Sequence, residues 1–193
     1  MAMHSFEDVV EDYRARFQEQ HHRQLRWFAI QQSLEAAIEQ AGMAVTPAGK
    51  RFNHQRRISR AALRGWTDSL LTHRSTIQQV NRFAVLHGLL AKIGAGIHGI
   101  GPWVVYDTAT RIGAFLKLAP DRVYLHAGTE VGAQALGFHR RPSLSKGQLP
   151  GPFQRLSADE IEDCLCIYKR LISAIVKQTP PATGAPTGCQ RAG

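Results

Sequence analysis

Cysteine, long hydrophobic runs and centrally placed acidic residues are all scarce in this 193-residue sequence. The three cysteines are Cys164, Cys166 and Cys189, and an odd number that includes a C-x-C pair builds neither a disulfide framework nor a four-ligand zinc site. No apolar run reaches the ~18 residues of a membrane span. The N-terminal MAMHSFEDVVEDY is acidic and lacks the apolar segment of a secretory signal. We therefore expect no membrane association. We expect a cytoplasmic location, which includes association with the nucleoid.

Acidic side chains are few between residues 40 and 158. This segment carries sixteen basic and four acidic residues, whereas residues 1–39 carry four and seven, and residues 159–193 carry four of each. The net charge of +9 therefore belongs to the central segment, and a positive region of this size attracts a polyanion. A surface excess that serves only solubility is the alternative, and charge alone does not decide between the two.

Helical periodicity runs through most of the chain, and no segment shows the two-residue alternation of a strand. Apolar spacing predicts a helix over 5–42 with a break near 18–24 and a stop at Gly42. Further helices are predicted from Ser59, over 75–94, over 102–118, over 127–137 and over 157–177, with residues 139–156 as a loop. The sequence predicts an all-α fold with one domain over 1–178 and a disordered tail over 179–193.

The most specific motif is a glycine-rich turn between two predicted helices, IGAGIHGIGPW, which begins at Ile93. Gly99 and Gly101 permit backbone angles closed to other residues and keep side chains away from the tip. Pro102 suits the first position of the following helix, and Ile100 is expected to point inward and pin the two helices. The N–H groups of the turn and of the helix start then point outward, and this arrangement suits a phosphate oxygen.

This turn resembles the helix-hairpin-helix motif of DNA-binding proteins, over about residues 83–118. In the DNA glycosylase superfamily typified by endonuclease III, the hairpin is followed by a V-D-T-H segment and by a helix that ends in L-G. The counterparts here are Val123-Tyr124-Leu125-His126 and Leu136-Gly137, so the resemblance covers roughly residues 83–138. It implies a glycosylase-like arrangement of helices and binding to the DNA backbone.

The residues that carry the superfamily's chemistry are replaced in this chain. Tyr124 stands where the superfamily has its catalytic Asp. Trp103 stands where bifunctional members have a nucleophilic Lys, and some monofunctional alkylbase glycosylases also have Trp there. The four-cysteine cluster loop of endonuclease III is absent. The resemblance therefore does not carry base excision over to this chain.

Two sets of candidate site residues follow from the turn and its neighbours. The expected nucleic-acid contacts are Gly99, Ile100, Gly101, Lys92, Arg111, Arg56 and Arg57. The catalytic candidates are Asp107, Tyr124 and His126, because a carboxylate, a phenol and an imidazole in one pocket can serve acid–base chemistry. Asp107 and Arg111, four residues apart, can instead form a structural ion pair. The histidines show no ligand spacing, so we expect no metal site and no cofactor.

Three functions remain open at this point. The leading hypothesis is a helix-hairpin-helix protein that binds the DNA backbone largely without regard to sequence and lacks standard glycosylase catalysis, with RNA as the second polymer. The alternative is a diverged DNA glycosylase or another nucleic-acid-processing hydrolase that uses Asp107, Tyr124 or His126. The third is a protein-interaction module that uses the turn only for packing. Neither enzymatic status nor oligomeric state is determined by the sequence.

Overall fold

The chain is helical over most of its length, so the predicted all-α class is confirmed. A computed structural model describes residues 4–178; the predicted disordered tail, with Cys189, lies outside them. The helices are α1 (Phe6–Tyr13), α2 (Glu19–Ala29), α3 (Leu34–Gly42), α4 (Arg60–Thr72), α5 (Arg74–Gln78), α6 (Phe83–Gly94), α7 (Pro102–Leu116), α8 (Ala127–Ala135), α9 (Ala158–Ile167) and α10 (Lys169–Gln178). None of these helices combines the length and apolar character needed to cross a bilayer.

The first predicted helix breaks at a different place from the one expected. Residues 18–24 do not interrupt it, because a π-helical turn, Arg14–Gln18, joins α1 directly to α2. The chain leaves the helix at Ile30, whose side chain is 77% exposed, and Ser33 caps the start of α3 by accepting a hydrogen bond from Ala36 N. The polar run at 18–24 was therefore misread as a break, whereas the serine cap marks the true boundary.

Several other boundaries agree with the local signals. Gly42 ends α3, Ser59 caps α4, and Ser157 with Glu160 forms the capping box that opens α9. The predicted helix over 75–94 is divided into α5 and α6. The connections after α7 and α8 contain the short antiparallel strands β1 (Val123–Tyr124) and β2 (Ser143–Leu144), which periodicity did not predict because each has only two residues.

The described residues bury two hydrophobic cores. The first core is built from α2 to α7 and includes Phe28, Trp66 and Ile112, each with no exposed surface. The second core joins α1 to β1, β2 and the helices after them, with Val10 and Phe153 fully buried. Because α2 follows α1 without a break, α1, the π-helical turn and α2 form one continuous helix that extends from the second core to the first. A cleft lies where α2, α7 and α9 meet.

Close packing of α8 against α9 depends on a glycine. A Cβ atom added at Gly132 would lie 2.5 Å from the carbonyl oxygen of Leu165, so one helix would have to move. We expect Gly132→Ala to lower the free energy of unfolding by about 1–3 kcal/mol. Gly65→Ala is the control, because Gly65 lies within α4 with open space around it, and it should raise the free energy by about 0.5–1 kcal/mol. Denaturant titration measures both, and equal effects would contradict the packing argument.

Candidate functional site

The turn between α6 and α7 is exposed, and its backbone follows the glycines. Ile97 N donates to Gly94 O at 3.1 Å, and Ile100 N donates to Ile97 O at 3.0 Å, which closes the turn. Gly99 has φ +89°, in the left-handed region that favours glycine. Ile100 is partly buried and its Cγ2 packs close to Gly94, as expected of a residue that pins the two helices.

Gly101 has a different role from the one the sequence suggested. Its φ of −96° is open to any residue, so the backbone there does not require glycine. The position is exposed, and a Cβ atom would meet nothing within 4 Å. No side chain caps α7, and among residues 4–178 the backbone nitrogens of Gly99 and Gly101 donate to no protein acceptor. At this position, the absence of a side chain leaves open space around the Gly99 and Gly101 N–H groups.

A concentration of cationic side chains adjoins this turn. A Cβ atom at Gly99 would lie 3.7 Å from Ile58 Cγ2 and 3.6 Å from Ala62 Cβ, so the start of α4 lies directly beside the turn. The same segment borders an open cavity of about 740 Å³ that no acidic residue lines. We use the name basic face for the five cations that line this cavity together with the exposed Arg57, which follows Arg56 in the chain: Lys50, Arg51, Arg56, Arg57, Arg60 and Arg64. Within the described part of the chain, none of these six forms an ion pair.

Two of the predicted nucleic-acid contacts occupy contrasting positions. Lys92 is exposed in the last turn of α6. Arg111 is only 6% exposed, which corrects the expectation of a surface contact. Its Nη1 donates to Gln55 Oε1 at 3.0 Å, its Nη2 donates to Asp107 Oδ2 at 3.2 Å, and its guanidinium lies 4.0 Å from the ring centroid of Phe52. Arg111 is thus committed to internal partners in the wall of the cleft.

The cleft between the two cores is the second candidate site. It has a volume of about 360 Å³, and side chains from α2, α7, α9 and the 3₁₀ turn Asn53–Gln55 line it. Its lining is unusually rich in ionisable groups: they are His21, His54, Tyr106, Asp107, Arg111, Asp159, Glu162 and Asp163. A concentration of this kind in a concave site is typical of binding and catalytic centres.

Asp107 is held as an ion at the α7 side of the cleft. Three side chains converge on its Oδ2: Arg111 Nη2, Gln55 Nε2 at 3.0 Å and His54 Nε2 at 2.9 Å. Burial favours the protonated acid, but Arg111 and His54 outweigh it, so the pKa of Asp107 is lowered. The predicted ion pair with Arg111 is confirmed, and Asp107 nevertheless faces the cleft.

The carboxyl groups on the α9 side of the cleft have pKa values that are shifted in different directions. Burial raises the pKa of Glu162 well above its usual range, and nearby Asp107 and Asp163 add to the effect, although Thr129 Oγ1 donates to Glu162 Oε1. Burial also raises the pKa of Asp163. The pKa of Asp159 is lowered, because the contact of its Oδ2 with His21 Nε2 at 2.7 Å outweighs the effect of burial. The cleft therefore presents a carboxyl of lowered pKa on α7, that of Asp107, opposite a carboxyl of raised pKa on α9, that of Glu162.

The three catalytic candidates do not converge as a triad. Asp107 lines the cleft, and His126 lies behind it with Nε2 3.3 Å from Glu162 Oε1. Tyr124 does not line the cleft; its ring packs against His87, at 4.5 Å between centroids, on the far side of Tyr106. The tyrosine that lines the cleft is Tyr106, whose hydroxyl is buried and to which the sequence reasoning gave no catalytic role.

Sequence reasoning also missed the carboxyl groups of α9. The pattern DEIEDC at 159–164 places Asp159 three and four residues before Glu162 and Asp163, hence on one helix face. Ile161 and Cys164 occupy the core-facing side of the same short helix, so acids at four positions could not all be solvated. The crowding of four acidic residues on one short helix was the signal in the sequence. It does not show which residues from other helices face these carboxyl groups.

The buried carboxyl of Glu162 gives a pH-dependent prediction. Because its folded-state pKa is raised above the unfolded value of 4.5, its contribution to stability is greatest below that pH and is lost as pH rises toward the folded-state pKa. Glu162→Gln should therefore increase the free energy of unfolding at pH 7–8, by an amount that shrinks toward pH 4. Asp159→Asn is the matched opposite: it should destabilise at pH 7, by less as pH falls through the lowered pKa of Asp159. Urea titrations from pH 2 to 8 measure both, and a pH-independent effect of Glu162→Gln would contradict the assignment.

Comparison of the chain with protein-family models, curated proteins and solved structures finds no match. Among residues 4–178, no group of three or more His, Cys, Asp or Glu side chains is arranged to hold a metal ion. A function for the two sites has to be argued from their geometry.

Proposed function

We propose that this protein binds the sugar-phosphate backbone of DNA, largely without regard to base sequence, through a helix-hairpin-helix element formed by α6, the turn and α7. The turn supplies amide donors to a phosphate, and the basic face with Lys92 supplies cations to neighbouring phosphates. Phosphate contacts carry no base information, so affinity rather than sequence preference is the property to expect. A glycosylase-like arrangement of the helices belongs to the same proposal.

One observation carries this proposal: the exposed glycine turn lies beside Ile58 and Ala62, within the segment 50–64 whose six cations form no ion pair in the described chain. The N–H groups of a helix start attract phosphate both by hydrogen bonding and by the helix dipole. The six cations of the basic face repel one another, and this repulsion falls when a polyanion releases its counterions to bind them. A turn used only for packing would need neither the open space at Gly101 nor an arginine-rich segment such as the one that reaches Gly99 through Ile58 and Ala62.

Gly101→Leu tests the amide site directly. The leucine adopts the existing backbone angles without strain and fills the space over the free N–H groups. We expect affinity for a 20-base-pair duplex to fall about ten- to a hundredfold, since a hydrogen bond to a charged group contributes about 1.5–3 kcal/mol. The slope of log K against log salt should barely change, because amides carry no counterions. Fluorescence anisotropy with two unrelated sequences, and with duplex RNA, measures these quantities.

Gly147→Leu is the matched control, because Gly147 is also exposed with nothing within 4 Å and belongs to the segment after β2. It should bind DNA as the parent chain does. The parent chain should show a slope of about −0.9 for each phosphate neutralised, hence about −5 if all six cations engage. A flat salt response, or equal binding by Gly101→Leu and the parent chain, would rule the proposal out and leave a packing role for the turn.

A second candidate function is hydrolysis within the cleft, as in a diverged DNA glycosylase or another nucleic-acid-processing hydrolase. The observation that favours it is that Asp107, whose pKa is lowered, and Glu162, whose pKa is raised, line the same cleft, because carboxyls with divergent pKa values divide into base and acid. Of the other sequence candidates, His126 would act through Glu162, and Tyr124 lies outside the cleft. A release assay on lesion-containing duplexes should show product with the parent chain and at least a hundredfold slower release with Asp107→Asn or Glu162→Gln. Equal rates in all three would remove these residues from catalysis.

A further inference from the structure

The open cavity at the start of α4 concentrates positive charge in one concave site, which we call the basic cavity. Five cationic residues line it, and no acidic residue does: they are Lys50, Arg51, Arg56, Arg60 and Arg64. Its volume of about 740 Å³ lies within the range of about 300–1,000 Å³ that is typical of small-molecule sites. The basic cavity is therefore large enough to hold a ligand of its own.

A hydrogen-bonded turn forms one wall of the basic cavity. Thr46 N donates to Lys50 O at 2.7 Å, and Gly49 N donates to Thr46 O at 2.9 Å. Gly49 has φ +71°, in the left-handed region that favours glycine. The guanidinium of Arg51 is also held in place, because its Nη1 donates to Ile58 O at 2.8 Å. Two of the five cations thus belong to an ordered turn rather than to a loosely held loop.

The start of α4 forms the opposite wall. Arg60 and Arg64 lie one helical turn apart and both line the basic cavity. Like charges at this spacing destabilise a helix. Between residues 4 and 178, none of the five cations forms an ion pair that would relieve their mutual repulsion. A bound anion would relieve it.

The composition of the basic cavity favours a phosphate group with more than one negative charge. Guanidinium groups bind phosphate oxygens in pairs, which gives arginine its preference for this group. A phosphodiester within a strand carries one negative charge. A phosphate monoester carries about 1.5–2 negative charges at pH 7 and has three acceptor oxygens, and a diphosphate carries still more charge. Four arginines and one lysine around a single cavity match the monoester or the diphosphate better than one phosphodiester.

We propose that the basic cavity binds a phosphate group that carries more than one negative charge, as at the phosphorylated end of a nucleic-acid strand or in the diphosphate of a nucleotide. For a strand end, the inference rests on the proposed binding of DNA and adds a preference for phosphorylated ends. For a nucleotide, it holds even if the chain binds no DNA.

Two probes test the proposal with the full chain. The first is a pair of internally labelled 20-base-pair duplexes that differ only in having 5′-phosphate or 5′-hydroxyl ends, compared by fluorescence anisotropy. The second is inorganic pyrophosphate, titrated by calorimetry at constant ionic strength. We expect at least fivefold tighter binding of the phosphorylated duplex, or a Kd for pyrophosphate below about 1 mM.

The two probes also distinguish the sources of the phosphate. Preference for the phosphorylated duplex alone assigns the basic cavity to strand ends, and binding of pyrophosphate alone assigns it to nucleotides. Both results together support both sources. Equal binding of the two duplexes without binding of pyrophosphate would overturn the proposal.

A double variant, Arg60→Gln with Arg64→Gln, tests the site itself. It should bring the affinities for the two duplexes within about twofold of each other and weaken pyrophosphate binding at least tenfold, since each charge-assisted hydrogen bond contributes about a factor of ten. Its melting temperature should stay unchanged or rise by up to about 2 °C, because a like-charge pair is removed. A lower melting temperature would contradict the repulsion argued for the cavity.

The matched control is Arg57→Gln with Lys92→Gln. These two residues are exposed, do not line the basic cavity and carry the same total charge. The control should weaken binding of both duplexes alike and leave their ratio and the pyrophosphate affinity unchanged. Equal effects of the two double variants on these readouts would show a response to net charge and would overturn the proposal.

Gly101→Leu separates this proposal from DNA binding by the turn. It should weaken binding of both duplexes alike, with the same preference between them and the same affinity for pyrophosphate as in the parent chain. If neither duplex binds the parent chain, the DNA-binding proposal fails, and the pyrophosphate titration still decides whether the basic cavity binds phosphate.

Discussion

Replacement of Asp107 by alanine should lower the free energy of unfolding by about 3–5 kcal/mol, since it leaves a buried guanidinium without its counterion. Arg111 is 6% exposed and its pKa is lowered by burial, which Asp107 opposes. The carboxylate also binds His54 and Gln55, which directly precede Arg56. The change should therefore loosen the segment that leads into the basic face as well as the cleft wall. Chemical denaturation at pH 7 measures the loss.

The double variant Asp107→Ala with Arg111→Met is the informative companion. Without a buried charge, the chain should recover at least half of the lost stability, as buried ion pairs replaced by apolar groups generally do. Asp121→Ala is the control, because Asp121 is exposed and has no ion pair in the described chain; its effect should stay within about 0.5 kcal/mol. A loss below about 1 kcal/mol for Asp107→Ala would show that water, rather than Asp107, solvates Arg111.

Simultaneous change of Arg56, Arg57 and Arg60 to glutamine should reduce DNA affinity on the order of several hundredfold at 0.1 M salt. At this salt concentration, the release of counterions from each neutralised phosphate adds about 0.9 to the logarithm of the binding constant. The salt slope should fall by about 2.7 for the same reason. All three arginines are exposed and without ion pairs in the part of the chain that the structure describes, so the fold should tolerate the change. This slope change distinguishes the variant from Gly101→Leu, which removes affinity through uncharged amides.

A charge-matched variant separates a local site from general attraction by net charge. Arg122, Arg140 and Arg141 are exposed near β1 and β2 and away from the basic face. Their replacement by glutamine removes the same three charges from the chain, and it should change affinity less than about threefold. Equal losses for the two triple variants would show that DNA responds to the net charge of +9 rather than to a built surface.

Local signals predicted local structure well. Ser59, Gly42 and the capping box at Ser157 delimit helices where expected, because a cap needs only residues within one turn. Trp66, within the helix predicted from Ser59, is fully buried. The same kind of signal was misread at residues 18–24, where a polar run suggested a break. Those polar side chains continue the helix, and His21 faces Asp159 across the chain.

The features of the two candidate sites also differ in whether the sequence alone could predict them. By itself, the sequence determined the helices, the glycine turn and the excess of cations in the central segment, since each depends on residues close together in the chain or on simple counting. Only the tertiary structure decided that Arg111 is buried, that Gly101 contributes space rather than backbone freedom, and that Tyr106, Asp107 and Glu162 line one cleft. Burial and pairing set these outcomes, and the partners are as far apart as His21 and Asp159, which are separated by 138 residues. Periodicity along a helix gives the face on which a side chain lies, but the opposing surface is supplied by another part of the chain.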